Sequence, residues 1–199
     1  MKNLKRICLS FILMLIGLLF VSCNNEKEND KREAENISLN ESSIVIYFSR
    51  TNNTEKIANY IIELTNSKSY EILAKIPYTD DDIKYYTDCR ADKEQNDPNA
   101  RVEIGGDKID ISNYSTIYLG YPIWHGDAPK IMYTFVESYD LKDKTIIPFC
   151  TSASSGIGNS GINLSKLTGE GKWLDGKRFD KNDEKSVVSD WLNKLKETK

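Results

Sequence analysis

Short apolar runs alternate with amphipathic stretches along most of the chain. The first run, residues 44–48, reads IVIYF and contains no polar side chain other than the tyrosine hydroxyl. An unbroken run of this length is typical of a strand buried on both faces, as in a parallel sheet. The polar sequence SRTNNT follows, and a helical spacing of apolar residues then begins at Ile57. The pattern predicts a strand over residues 43–48 and a helix over about residues 53–66, joined by a polar turn.

The same alternation continues toward the carboxyl terminus. Further strands are predicted over residues 69–74, 115–121 and 144–150, with a weak one over residues 172–174. Three more helices are predicted, of which the second is short and ends near residue 167 and the last is capped near residue 182 or 183. In the first of these three helices the inward positions are Ile131, Met132, Phe135 and Val136. In the last helix they are Val187, Val188, Trp191, Leu192 and Leu195.

Strands that alternate with helices indicate an α/β fold, in which helices cover both faces of a parallel sheet. Five strand signals are present, so we expect a doubly wound five-stranded parallel sheet, and the strand order 2-1-3-4-5 is among the few topologies that right-handed crossovers leave open. In such a sheet ligands bind outside the carboxyl ends of the strands, where the strand order reverses. The loops after strands one, three and four would then converge on one crevice.

Residues 78–106 form a connection whose pattern is hard to read. We expect a helix from Asp80 to about Asn96, capped by Thr79 or Asp80 and ended by Pro98. Its shared face would carry Ile83, Tyr86 and Cys89. The tyrosines of this stretch are interpreted as packing residues.

The first 22 residues have the layout of a secretory signal. A basic start is followed by an apolar stretch over residues 7–21 and then by Ser22 and Cys23. The sequence LFVSC resembles a bacterial lipobox, which implies that Cys23 becomes the lipidated amino terminus of an exported protein. An uncleaved amino-terminal anchor is the alternative. The predicted organisation is a signal peptide at 1–22, a disordered tether at 23–42 and a folded domain at 43–199.

Charge and cysteine content exclude two classes of function. The net charge is −3, and removal of residues 1–22, with three basic and no acidic residues, makes it −6. An acidic protein lacks the basic surface that nucleic acid requires. The domain keeps only Cys89 and Cys150, and His125 is its single histidine. No metal site is expected, whereas a disulfide between the two cysteines stays open.

Three stretches together resemble the flavodoxin-like FMN proteins. They are YFSRTNNT at residues 47–54, GYPIWHGDAP at residues 120–129 and PFCTSASSGIGNS at residues 148–160. The resemblance extends over about residues 43–196. It implies a flavodoxin-like fold and FMN as the cofactor, with the phosphate in the first stretch and the isoalloxazine ring between the other two.

The resemblance also implies the cofactor-binding residues, in three loops. The first loop (residues 49–54) supplies Ser49, Arg50, Thr51, Asn52, Asn53 and Thr54. The second loop (residues 122–126) supplies Pro122, Ile123, Trp124, His125 and Gly126. The third loop (residues 151–158) supplies Thr151, Ser152, Ser155, Gly156 and Gly158. No catalytic residue is assigned.

The residues of the first loop suit this role on chemical grounds, because hydroxyls and amides precede a helix start, whose unpaired N–H groups attract anions. Asn52 departs from the family pattern, which usually has glycine there. Asparagine is one of the few other residues that readily adopt a positive φ.

The sequence therefore predicts an exported, lipid-anchored FMN protein that passes electrons to a redox partner protein or a small-molecule acceptor. One alternative is an FMN-dependent reductase that uses a quinone or a similar acceptor, with residues 78–106 as a wall of the substrate site. The other is a non-redox binding lipoprotein that has lost FMN.

The lipid anchor gives the first testable prediction. Cys23→Ser should abolish signal cleavage before residue 23 and acylation, because the modified thiol is gone. Since stable anchoring takes two or more acyl chains, the wild-type chain should partition into membranes. Metabolic labelling with a fatty acid and membrane fractionation measure both effects. A Cys23→Ser chain that matures and stays at the membrane like wild type would refute the lipobox.

Overall fold

The computed structural model describes residues 42–197. The predicted signal peptide, nearly all of the predicted tether and the predicted lipidation site Cys23 lie outside the described residues. Within residues 42–197, no helix is both long and apolar enough to cross a membrane.

Six strands and five helices alternate through this part of the chain. The strands are β1 (Ser43–Tyr47), β2 (Lys68–Glu71), β3 (Thr116–Pro122), β4 (Thr145–Thr151), β5 (Lys172–Trp173) and β6 (Lys177–Phe179). The helices are α1 (Asn53–Thr65), α2 (Arg90–Asn96), α3 (Lys130–Glu137), α4 (Ser160–Thr168) and α5 (Lys185–Glu197), with a 3₁₀ turn at Asp81–Ile83.

The strands form one parallel sheet in the order β2-β1-β3-β4-β5, with β6 also paired to β4. The predicted parallel order 2-1-3-4-5 is confirmed. The strand order reverses between β1 and β3, so the loops after β1, β3 and β4 leave the same edge of the sheet.

The fifth position of the sheet differs in detail from the prediction, because two short strands share it. Ile146 accepts a hydrogen bond from the N–H of Leu174 (2.9 Å), so the polar backbone groups of Ile146 face this side. Pro148, two residues further along β4, faces the same side and has no N–H to donate. Pairing with β4 resumes only at Lys177, opposite Phe149. The missing donor at Pro148 thus coincides with the break between β5 and β6.

The sheet is covered on both faces, as the apolar run of β1 predicts. Ile44 and Ile46 belong to one core cluster, which includes the buried residues of α3 and α4. Val45 and Tyr47 belong to a second cluster, which includes the buried residues of α1 and α5. The predicted inward positions of α3 are all buried, and those of α5 are buried or partly buried.

The helix expected over residues 80–96 is wrong in its extent. Asp80 is the N-cap, as one of the two expected residues, and Thr79 and Asp82 exchange hydrogen bonds around it, but only a 3₁₀ turn follows. The chain then leaves helical geometry, and α2 starts at residue 90. The carboxylate of Asp92 explains the break, because its Oδ2 accepts the N–H groups of Thr87 (3.0 Å) and Cys89 (3.3 Å). A polar side chain here competes with the helical ladder for backbone donors.

Both cysteines of the described chain are free thiols, which closes the question of a disulfide between them. Cys89 is partly exposed at the start of α2, and Cys150 is fully buried in β4. Burial raises the pKa of the Cys150 thiol to about 12.

Gly120 in β3 gives a prediction about packing. A Cβ atom there would overlap the ring of Phe149, which is fully buried and cannot move aside. Gly120→Ala should lower the free energy of unfolding by about 1–3 kcal/mol, the usual cost of overpacking a core. Gly156→Ala is the matched control, because a Cβ atom at Gly156 meets nothing closer than 3.9 Å. Urea denaturation of both variants measures the difference, and equal stabilities would contradict it.

Asp92 gives a prediction about acid stability. Burial alone raises the pKa of this carboxyl, but the N–H groups of Thr87, Cys89 and Tyr86 and the nearby imidazole together lower it below the usual 3.8. A carboxyl whose pKa is lower in the folded than in the unfolded state stabilises the fold at pH values above its unfolded-state pKa. This stabilisation is lost as the pH falls through its folded-state pKa. Stability from Asp92 should therefore be complete above about pH 4 and be lost below it. In urea titrations, the gap between wild type and Asp92→Asn should narrow as the pH falls from 5 to 2. A gap that is constant over this range would refute the assignment.

Candidate functional site

The three predicted loops meet at a cleft at the carboxyl edge of the sheet. Its volume is about 230 Å³. The lining residues come from the first, second and third loops, from residues 83–91 and from the connection between β6 and α5. They are Thr51, Asn53, Ile83, Tyr85, Ala91, Pro122, Ile123, Trp124, His125, Thr151, Ser152, Ala153 and Lys181.

The first loop presents backbone donors at the start of α1. Ser49 Oγ accepts the N–H of Glu55 (3.2 Å), and Asn52 O accepts the N–H of Lys56 (3.0 Å). The N–H groups of residues 51–54 bond to no residue in the described range, and Asn52 makes no side-chain cap. Four unpaired N–H groups at a helix start form the arrangement that binds phosphate or carboxylate.

Asn52 has the backbone conformation that a glycine would adopt. Its φ of 61° and ψ of 2° lie in the left-handed region. The expected tolerance of asparagine for positive φ is confirmed, so the departure from the family pattern leaves the turn geometry intact. Asn66, at the other end of α1, has a similar φ of 52°.

Two predicted cofactor-binding residues of the first loop are engaged in contacts within the protein. The guanidinium of Arg50 donates to Tyr78 O (2.5 Å) and pairs with Asp80 (2.6 Å), so it ties the first loop to the segment after β2. Thr54 is 1% exposed, and its hydroxyl lies 2.7 Å from the hydroxyl of Thr151. This pair joins the first loop to the third, and one of the two hydroxyls keeps a proton to donate elsewhere.

The second loop is a tight hairpin. Trp124 and Asp127 exchange both backbone hydrogen bonds (2.9 and 3.0 Å), and His125 and Gly126 between them have φ of 50° and 81°. Two positive φ values in a two-residue connection define a type I′ turn, in which asparagine followed by glycine is preferred. Histidine is a bulkier choice at the first of these positions, so its neighbours must hold it there.

Trp124 lines the cleft from within an aromatic cluster. Its ring meets the rings of Phe48 and Tyr78 edge to face, with centroids 5.5 and 5.0 Å apart, and it is 7% exposed. The indole is thus both a core residue and part of the cleft wall. This packing fixes the orientation of the ring.

His125 lies against a buried carboxylate. Its Nε2 is 2.7 Å from Oδ1 of Asp92, whose side chain is 8% exposed. Neither of these two buried atoms completes a hydrogen bond with a described residue. The imidazole also contacts the Tyr85 ring, with centroids 4.8 Å apart.

Residues 78–96, here called the wall segment, are held on the second loop by further bonds. Gln95 Nε2 donates to the carbonyls of Trp124 (3.1 Å) and Ala128 (3.2 Å), and its Oε1 accepts the N–H of Lys130 (3.0 Å). Tyr85 donates its hydroxyl to Ile123 O (3.2 Å). The amide of Gln95 therefore fixes the hairpin from both ends, and the wall segment forms one side of the cleft.

The third loop is held from behind by Arg178 of β6. Its guanidinium donates to the carbonyls of Ser152 (2.6 Å) and Ala153 (3.1 Å) and pairs with Asp180 (3.0 Å). Ser152 also donates its hydroxyl to Ser155 O. These bonds fix the path of the loop next to the cleft.

The structure brings half of the sequence-predicted residues into the cleft wall: Thr51, Asn53, Pro122, Ile123, Trp124, His125, Thr151 and Ser152. The others belong to the same loops but do not line the cleft: Ser49, Arg50, Asn52, Thr54, Gly126, Ser155, Gly156 and Gly158. The cofactor contacts of all these residues, lining or not, stay predictions.

Sequence reasoning missed the lining residues Ile83, Tyr85, Ala91, Ala153 and Lys181. The first three belong to the stretch that was expected to form a substrate wall in the reductase alternative. Tyr85 nevertheless contributes to the cleft, although the tyrosines there were interpreted as packing residues. Lys181 follows β6, a three-residue strand too short to leave a pattern. No group of acidic, histidine or cysteine side chains with metal-binding geometry occurs among the residues searched, 42–197.

Comparison with known proteins places this chain in a family. A family model described as flavodoxin matches residues 42–195. A presumed flavoprotein from Bacteroides eggerthii is 35% identical, with 76% of this chain and 96% of that chain covered and a TM-score of 0.71. A presumed flavoprotein from Bacteroides uniformis is 32% identical, with 77% and 98% covered and a TM-score of 0.74.

A more distant structure, a flavoprotein from Lactobacillus acidophilus in complex with FMN, shares the fold. It is 20% identical, with 76% of this chain and 99% of that chain covered and a TM-score of 0.55. No curated protein matches the chain. The family match spans all but the last two of the described residues, and the parallel sheet has the order 2-1-3-4-5. The chain belongs to the flavodoxin family.

Proposed function

We propose that the chain binds FMN in the cleft and passes electrons, as an exported protein held at a bacterial membrane through a lipid on Cys23. The observation that carries the FMN proposal is the convergence of the three loops on one cleft at the reversal of strand order. Membership of the flavodoxin family and the FMN complex of the Lactobacillus acidophilus protein support it.

The phosphate end of the site fits an anion. The N–H groups of residues 51–54 have no protein acceptor, and α1 adds the positive end of its dipole. Thr51 and Asn53 line this part of the cleft, with Asn53 Nδ2 3.1 Å from Thr51 Oγ1. The backbone would hold the phosphate, and these two side chains would complete its hydrogen bonds.

The ring end of the site fits a planar apolar group. Pro122, Ile123 and Trp124 line the cleft with apolar surface, and Thr151 and Ser152, on the neighbouring strand and loop, add polar groups. A volume of about 230 Å³ is below the roughly 300–1,000 Å³ of pockets that enclose most of a ligand. A flavin nucleotide in this cleft would keep one edge in solvent, as an electron carrier requires.

FMN, when bound, supplies the chemistry of accepting and releasing electrons. The chain supplies position and electrostatics. Arg178 and the Thr54–Thr151 pair fix the third loop, and Gln95 fixes the second. The acidic balance of the domain disfavours added negative charge on the ring and so lowers its potential.

The membrane anchor and the partners complete the proposal. Lipidation of Cys23 would leave the folded domain outside the cytoplasm, at the end of a polar tether of about 20 residues. A redox partner protein or a small-molecule acceptor would then take the electrons at the exposed side of the cleft.

A second candidate function, an FMN-dependent reductase, is favoured by the wall segment. Ile83, Tyr85 and Ala91 extend the cleft beyond the three loops and add apolar surface beside His125. A simple electron carrier has no need of such a wall, whereas a reductase needs one to hold a small substrate. The other alternative, a non-redox binding lipoprotein that has lost FMN, has less support, because Asn52 keeps the left-handed backbone conformation of the turn.

Asn52 gives a prediction that separates phosphate binding from stability. Asn52→Ala should destabilise the fold by about 1 kcal/mol, because alanine resists positive φ. It should also weaken FMN binding about tenfold, because the N–H groups lose their orientation. A tenfold loss corresponds to the contribution of one hydrogen bond to a charged group. Asn66→Ala is the control, since it places the same strain at the other end of α1. Urea denaturation and fluorescence titration measure the two effects.

Riboflavin, which carries no phosphate, should bind Asn52→Ala as it binds wild type. If Asn66→Ala weakens FMN binding as much as Asn52→Ala, or if riboflavin is affected equally, the first loop does not hold the phosphate.

Trp124 gives a prediction about the ring. Its indole lines the cleft, so flavin fluorescence should be strongly quenched in the complex. Trp124→Phe keeps an aromatic ring against Phe48 and Tyr78 but should restore part of the fluorescence. It should weaken FMN binding by about 1 kcal/mol, the lower end of what loss of a stacking partner costs. Trp173 lies at the far end of the sheet beside Ile146, so Trp173→Phe should change neither the flavin fluorescence nor the affinity for FMN.

Fluorescence of the complex and its titration curve provide the measurement. Unquenched flavin in wild type, or a Trp124→Phe chain that matches Trp173→Phe in both quantities, would remove Trp124 from the site.

A further inference from the structure

The first loop and the start of α1 bring little positive charge to the cleft. Arg50, the one basic residue of the first loop, pairs with Asp80 (2.6 Å), so the protein already uses its charge. Lys56, in the first turn of α1, donates its ammonium to the carbonyl of Lys181 (3.0 Å). The free backbone N–H groups of residues 51–54 can bond to an anion, but they add no net charge. A cation for this end of the cleft must therefore come from elsewhere in the chain.

Lys181 is the one lysine or arginine among the described residues that line the cleft. It is exposed, and its ammonium makes no hydrogen bond or ion pair with any of the residues 42–197. The bond from Lys56 ties the backbone at position 181 to the first turn of α1. Thr51 and Asn53 line the cleft at the same place. The free ammonium thus belongs to the phosphate end of the site and not to the ring end.

The turn that carries Lys181 is held by its own hydrogen bonds. Asp180 accepts the N–H groups of Asn182 (3.0 Å) and Asp183 (3.0 Å), and Asp183 Oδ2 accepts the N–H of Asp180 (2.9 Å). Arg178 pairs with the Asp180 carboxylate (3.0 Å). The N–H of Asn182 and the guanidinium of Arg178 lower the pKa of Asp180 more than the charge of Lys181 does. Position 181 is therefore fixed within the protein, and the carboxylate beside it already has a cationic partner.

We propose that Lys181 is a specificity-determining residue whose ammonium recognises the second negative charge of a terminal phosphate. The proposal rests on the FMN binding proposed above and names the ligand class, a flavin that ends in a phosphomonoester. Such a group carries close to two negative charges at neutral pH. The N–H groups of residues 51–54 would bind the phosphate, and Lys181 would add a charged donor from the connection between β6 and α5.

The position of Lys181 on a cleft wall sets the expected strength of the pair. Ion pairs on an open surface change an equilibrium a few-fold at most, because water and salt screen them. A hydrogen bond to a charged group in a less exposed place contributes about ten- to 100-fold. The Lys181 side chain is exposed, but the cleft shields part of any phosphate bound beside Thr51 and Asn53. We therefore expect a contribution of about tenfold to the affinity for FMN.

The test measures the dissociation constants of three flavins that differ only in their end group. FMN carries a phosphate, riboflavin 5′-sulfate carries a group of the same shape with one negative charge, and riboflavin carries neither. Lys181→Gln removes the charge and keeps a polar side chain. Lys142→Gln is the matched control, since it removes the charge of an exposed lysine that precedes β4, at the opposite edge of the sheet. Isothermal titration calorimetry on the full chain measures each constant.

Lys181→Gln should weaken the binding of FMN about tenfold, that of the sulfate ester about threefold and that of riboflavin least. Lys142→Gln should weaken the binding of FMN less than about twofold, the scale of a distant and screened charge. Lys181→Arg keeps the positive charge and should bind FMN within about threefold of wild type. Addition of about 0.5 M NaCl should narrow the difference between wild type and Lys181→Gln, because salt screens an exposed charge.

Three results would overturn the role of Lys181 while FMN binding stands. They are an equal loss for all three flavins in Lys181→Gln, a loss for FMN no larger than in Lys142→Gln, and a Lys181→Arg chain that binds FMN as weakly as Lys181→Gln. A wild-type chain that binds FMN no more tightly than riboflavin would instead refute the phosphate site in the first loop. A wild-type chain that binds none of the three flavins would refute the proposed function and this inference together.

Discussion

The parallel pairing of β1, β3 and β4 is the constraint on which the site depends. Parallel strands end at one edge, so the chain must emerge there three times, at Ser49, Pro122 and Thr151. The reversal of strand order between β1 and β3 directs the helices that follow to opposite faces and leaves a crevice between the loops. The buried bond between Thr54 and Thr151 then fixes the first loop to the third.

Polar groups without complete hydrogen bonds are concentrated at this same edge of the sheet. The start of α1 has four N–H groups without a protein acceptor, and Asp92 and His125 keep a buried oxygen and nitrogen incompletely bonded. Positive φ values at Asn52 and His125 add local strain. Folded chains normally satisfy such groups, and strain of this kind clusters at functional sites. The rest of the sheet, covered by two apolar clusters, holds the edge in place.

The sequence was sufficient for the elements whose pattern is local. The apolar run of β1, the helical spacing from Ile57 and the polar turn between them predicted the strand, turn and helix that carry the unpaired N–H groups. The sequence was insufficient where contacts between residues distant along the chain determine the local structure. The helix expected from Asp80 fails because Asp92 captures two backbone donors, and the break between β5 and β6 lies at Pro148, which has no ladder donor. Arg178, Gln95 and Tyr85 act on loops distant in sequence, so no local pattern reveals them.

A crystal structure of the chain grown with saturating FMN would show directly whether the cleft holds the cofactor. We expect the FMN phosphate within hydrogen-bond distance of the N–H groups of residues 51–54, with the ring between the second and third loops and beside Trp124. Density for FMN at any other place on the protein, or crystals that stay colourless and contain no FMN, would contradict this expectation.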